Sequence, residues 1–137
     1  MNPVIQEEPS GCGIASVAVL AGITYTQAKA VANQLGIFAE DTRLWSTTDY
    51  VRRLLGHFSI EVDHQETTFT SWQALPDIAL LAIKWRLENG QPYWHWVVFW
   101  RSPDGPVILD SKKTLTKHVR WDFGRIKPRW FIPISTS

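Results

Sequence analysis

The residues of this 137-residue chain that could do covalent or acid–base chemistry are one cysteine, four histidines and thirteen carboxylates. The cysteine is Cys12, in the stretch QEEPSGCGIASVAVLAG that spans residues 6–22. A thiol kept for packing belongs among apolar neighbours inside an element. Cys12 instead sits at a joint, where a polar, turn-prone run gives way to the apolar run from Ile14 to Ala21. A cysteine at the first turn of a helix faces unpaired backbone N–H groups and the positive end of the helix dipole. Both favour the thiolate, which is the nucleophilic form. The flanking Gly11 and Gly13 are expected to keep the approach to the sulfur open.

A nucleophile needs a base, and the base needs an orienting group. His57, His64 and His118 lie in polar or surface-like stretches and read as solvated. His95 differs, because it opens the apolar run HWVVFW, where an imidazole is costly unless a partner satisfies it. Asp110 ends the next apolar run, PVILD. A hairpin around the loop 102–105 that pairs Arg101 with Pro106 places Asp110 opposite Val97 and diagonal to His95 on one face. Diagonal neighbours lie within reach of each other, whereas a one-residue slip would send Asp110 to the other face. Asp110 is therefore expected to orient His95, and His95 to activate Cys12. Gln6, six residues before Cys12, carries an amide N–H₂ that could bind an oxyanion together with the Cys12 backbone N–H.

These residues must be held by elements that the pattern also suggests. Cys12 opens a helix that reaches Gly22, a C-cap candidate. TYTQAKAVANQLG is a second amphipathic helix, with Thr24 or Thr26 as N-cap and Gly36 as its stop. STTDYVRRLLGHF is a third, with Tyr50, Val51, Leu54 and Leu55 on one face. Beyond residue 60 the runs 78–85, 93–100, 106–110 and 129–134 are short, apolar and bounded by Gly, Pro, Asn and Asp, which is the signature of strands. ENGQP and RSPDGP supply turns. The expected fold is α+β: a helical N-terminal half packed on a C-terminal antiparallel β-sheet, in one domain over residues 1–137.

The totals narrow the function. A formal net charge of +1 gives no electrostatic case for nucleic acid as partner. No apolar run approaches the ~20 residues of a membrane span. MNPVIQEEPSG lacks the basic start and apolar core of a secretory signal, and one cysteine cannot form an internal disulfide, so a cytoplasmic location is expected. Cys12, His95 and Asp110 lack the close spacing of metal ligands, so neither metal nor cofactor is expected. Of the eight tryptophans, Trp94, Trp96 and Trp100 are expected in the sheet core or a cleft wall. Lys112, Lys113 and Lys117 read as a solvated surface.

Gln6, Cys12-Gly13, His95 and Asp110, in this order and spacing, resemble the papain-like cysteine peptidases of the bacteriocin-processing family. Gly11 stands where the transporter-borne members often carry aspartate, so the resemblance is to the free-standing form. It implies a papain-like fold and a thiol protease that removes leader peptides after a double glycine. It also implies a peptide or protein substrate and association with an export transporter. Two alternatives stay open: a non-catalytic peptide-binding module on the same fold, and another thiol acyl-transfer enzyme such as a deamidase, transglutaminase or amidase.

Overall fold

The computed structural model describes residues 1–135. Helix α1, Cys12–Ala21, ends where Gly22 adopts a left-handed conformation at φ 70° and donates its N–H back to Val19. The turn into α2, Tyr25–Gln34, is fixed by a capping box: the Thr24 hydroxyl accepts from the Gln27 N–H, and the Gln27 amide oxygen accepts from the Thr24 N–H. A 3₁₀ turn at Thr42–Ser46 precedes α3, Asp49–His57, whose buried face is Tyr50, Val51, Leu54 and Leu55. All three helices expected from the pattern are present. Among the described residues, no single helix is long and apolar enough to cross a membrane.

The second half forms a six-stranded sheet: β1 Thr67–Thr68, β2 Ile78–Glu88, β3 Gln91–Ser102, β4 Gly105–Leu109, β5 Val119–Arg120 and β6 Trp130–Pro133. The spatial order is β1-β6-β2-β3-β4-β5, and every neighbouring pair is antiparallel. The chain is thus α+β with its helices N-terminal. The two-residue strands β1 and β5 were not foreseen.

Both faces of the sheet are buried. Ile78, Leu80, Ala82, Trp94, Trp96, Val98 and Ile132 pack toward the helices. The alternate residues, among them Leu81, Ile83, Val97, Phe99 and Ile108, form a second cluster under Trp72, Phe123 and Ile126. A strand buried on both sides reads as a continuous apolar run, and IALLAI is one.

Two hairpins set the register. β2 and β3 are joined by a two-residue turn with Asn89 at φ 52° and Gly90 at φ 78°, the left-handed pair that matches strand twist. Arg101 pairs with Pro106 as expected, but pairing continues to Ser102 and Gly105, so the turn is only Pro103-Asp104. Two irregularities open the sheet near His95. Pairing of β2 with β3 is interrupted between Ile83 and Arg86, with Lys84 in the left-handed region at φ 54°. On the other side, β4 stops pairing with β3 at Leu109 and Val98.

Candidate active site

Cys12 is the first residue of α1, and its Sγ accepts the backbone N–H of Trp96 at 3.5 Å. β4 has already left β3 at this level, so the sulfur meets a β3 amide beyond the end of their ladder. The thiol is 1% exposed, which corrects the expectation of an open approach. The flanking glycines serve packing instead. A Cβ on Gly11 would meet the Tyr25 hydroxyl at 2.2 Å, and one on Gly13 would meet the Tyr50 hydroxyl at 2.1 Å and its ring at 2.6 Å. Two tyrosines therefore clamp the chain on either side of Cys12. Burial first, then the charge of Cys12, pushes the Tyr50 hydroxyl far up, so it stays neutral beside the first turn.

This packing carries a prediction. Gly13→Ala drives a methyl into a ring that is 5% exposed and has no room to retreat. We expect it to destabilise the protein by about 1–3 kcal/mol in urea unfolding, the usual range for overpacking. Gly56→Ala, where an added Cβ meets nothing within 4 Å, is the control. Equal midpoints for the two variants would refute the clamp.

His95 and Asp110 meet as the register requires. His95 Nε2 lies 2.7 Å from Asp110 Oδ1, leaving Nδ1 as the ring nitrogen for the sulfur. Asp110 is fully buried, and three further groups fix it. The Lys112 N–H donates to Oδ1 at 3.1 Å, Arg120 donates to Oδ2 at 2.9 Å, and the Asp110 N–H donates to the His118 carbonyl at 2.8 Å. His118 Nδ1 returns to the Asp110 carbonyl at 2.9 Å, so His118 braces the triad backbone rather than a solvated surface. Burial alone would depress the His95 pKa. Hydrogen bonds to Asp110 and Cys12, and their negative charges, outweigh it and push His95 up to about 9. Burial would likewise raise Asp110, but His95, Lys112 and Arg120 hold its carboxyl well below the usual carboxylate range.

Gln6 is buried close by, but its amide is engaged differently from the expectation. Both N–H bonds go to backbone carbonyls, of Glu8 and Pro9, each at 3.0 Å. Its Oε1 accepts from the Ser111 hydroxyl at 2.7 Å, and its backbone N–H donates to the Ser111 carbonyl. In this arrangement Gln6 ties residues 8–9 to the chain just after Asp110 and offers no free donor to an oxyanion. The expected role requires one of those two bonds to be exchanged.

A cleft of about 370 Å³ runs over this assembly, lined by Gln6, Pro9, Trp45, Trp94, His95 and Lys112 among others. His95 is part of its lining and Cys12 is not. Trp94 and Trp96 are core residues, and Trp94 also forms cleft wall. His57 and His64 are exposed. Among the described residues, no group of three or more His, Cys, Asp or Glu side chains is placed to hold a metal ion. Arg120, which neutralises the second oxygen of Asp110, and His118, which holds its backbone, are the candidate-site residues the sequence did not reveal. No family model, curated protein or solved structure matches the chain.

Proposed function

We propose that the chain is a papain-like cysteine peptidase of the leader-processing type, acting on a peptide or protein substrate. The observation that carries this reading is His95, held at 2.7 Å by a buried carboxylate and raised to about 9 with Cys12 among the causes. An imidazolium beside a cysteine at a helix N-terminus can pair with its thiolate, and that ion pair is what thiol catalysis needs. In the reaction, the Cys12 thiolate adds to the scissile carbonyl. The C–N bond then breaks as His95 gives its proton to the leaving amine. Water, deprotonated by His95, attacks the thioester and releases the acid and the thiol. Asp110 keeps the ring oriented throughout and stays ionised. The first N–H groups of α1, with Gln6 once an amide bond to Glu8 or Pro9 is exchanged, are the donors for the oxyanion.

The buried sulfur favours a second reading, a peptide-binding module that uses the cleft and not the thiol. Alkylation separates the two. The rate of Cys12 modification by iodoacetamide is measured against pH in the wild type and in His95→Ala. An ion pair predicts a rate that persists at pH ~5–6 and disappears in the variant, against a free thiol titrating near ~8.5. A single titration near ~8.5 in both proteins would leave only the binding module.

A further inference from the structure

A second cavity, of about 420 Å³, shares Lys84 with the cleft and is lined also by Arg120, Arg125, Lys127 and Arg129 together with Ile83, Trp85, Ile126 and Pro128. Five of these nine residues are cationic and none is acidic, in a chain whose formal net charge is only +1. The concentration therefore belongs to the fold and not to the composition. Two of the cations are already engaged. Arg120 is bound to Asp110 and, through both Nε and Nη2, to Asp122, and Arg129 lies over the Trp85 ring at 4.0 Å. Lys84, Arg125 and Lys127 make no ion pair among the described residues. Asp110 and Asp122 are the carboxylates beside this cluster, and both are bound by Arg120. Five cations therefore face two anions, and a further anion seated between Lys84, Arg125 and Lys127 relieves the remaining repulsion.

Lys84 links the cavity to the chemistry. It lines both the cavity and the His95 cleft, and it follows Ile83, the residue paired with His95. Its left-handed backbone lies within the irregularity that interrupts the β2–β3 ladder, the kind of local break that re-aims a side chain. Burial and the nearby Lys112 lower its pKa against the opposing charge of Asp110. Nucleic acid fits less well, because the one aromatic ring in the lining, Trp85, is already covered by Arg129.

We propose that this cavity is a carboxylate-binding subsite, taking acidic side chains of a peptide whose scissile bond lies at His95. The use of the subsite by a substrate rests on the peptidase reading, but the binding itself does not.

The test therefore uses the Cys12→Ala protein, which binds without turnover. Fluorescein-labelled hexaglutamate and hexaglutamine are titrated by fluorescence anisotropy at low ionic strength. Hexaglutamate should bind at least about tenfold more tightly, and the preference should shrink as salt is added. Arg125→Gln with Lys127→Gln should weaken hexaglutamate about fivefold or more, whereas Arg43→Gln with Lys117→Gln, the same charge change outside the cavity, should leave it within about twofold. All four positions are exposed, and thermal melts would verify that both double variants fold. Equal affinity for the two peptides, or equal weakening by both double variants, would overturn the subsite. A labelled hexathymidylate that binds more tightly than hexaglutamate would overturn a peptide carboxylate as its occupant. Turnover in the wild type without any acidic preference would sink this inference alone, whereas acidic binding without turnover would sink the peptidase reading alone.

Discussion

Replacing Asp110 with alanine is expected to lower the stability of the protein by about 3–5 kcal/mol, the usual cost of removing one partner from a buried ionic cluster. Asp110 is fully buried and satisfies His95, Arg120 and the Lys112 N–H at once. Its loss removes the only carboxylate partner of His95 among the described residues, one of the two carboxylates on Arg120, and the acceptor of a backbone donor. Against a typical total of about 5–15 kcal/mol, the loss brings the fold near its limit. Asp110→Asn keeps the shape but not the charge, so it should fall between alanine and the wild type. The pH dependence separates charge from packing. The depressed Asp110 carboxyl contributes above the unfolded value near ~4, and that contribution is lost as pH falls through its lower folded value. His95, raised to about 9, contributes fully below ~6.5 and loses its contribution as pH rises through about 9. Wild-type stability should therefore hold between about pH 4 and 6.5 and decline toward pH 10, and Asp110→Ala should show little of that alkaline decline. Urea midpoints at pH 5, 7 and 10 decide the matter. An alanine variant within ~0.5 kcal/mol of the wild type would mean that the cluster is not the buried network described above.

The second large effect is on turnover. Cys12→Ala is expected to abolish cleavage of any peptide the wild type cuts, because no other thiol exists in the chain. Its cost to stability is small by comparison. The buried Trp96 N–H loses its sulfur acceptor, a cost of about 1–3 kcal/mol and below that of Asp110→Ala. Asp110→Asn should reduce the rate by about 10²–10⁴ yet leave measurable activity, since nucleophile and base both survive. Fragment yield by mass spectrometry, with circular dichroism to confirm folding, tests both. Wild-type cleavage by Cys12→Ala would remove the thiol from the chemistry, and wild-type rates in Asp110→Asn would make the carboxylate structural only.

The α+β division and much of the site were legible because short-range rules govern them. Gly22 and the Thr24–Gln27 pair punctuate the first two helices, and a tight connection after Arg101 fixes the register that carries Asp110 to His95. What escaped the sequence depends on contacts between distant segments. Gly11 and Gly13 resemble residues left small for access, and only the folded chain shows two tyrosine hydroxyls occupying the space. The Gln6 amide has many carbonyls within its range, and spacing cannot say which it takes. Strands β1 and β5 are two residues long, too short for any periodicity. Arg120 lies ten residues beyond Asp110, where a loop and a short strand bring it back to the carboxylate. Lys84 looks like an ordinary strand lysine until the backbone turns left-handed beneath it.

The contacts that build the site span most of the chain: 84 residues from Cys12 to Trp96 and 105 from Gln6 to Ser111. Each closes a long loop, and such closures come late in folding because their entropic cost must be met before the contact is made. During synthesis Cys12 is made well before His95, Asp110 and Arg120, the groups that surround it in the fold. The assembly around Cys12 is thus a property of the fold, complete only once synthesis has passed Arg120.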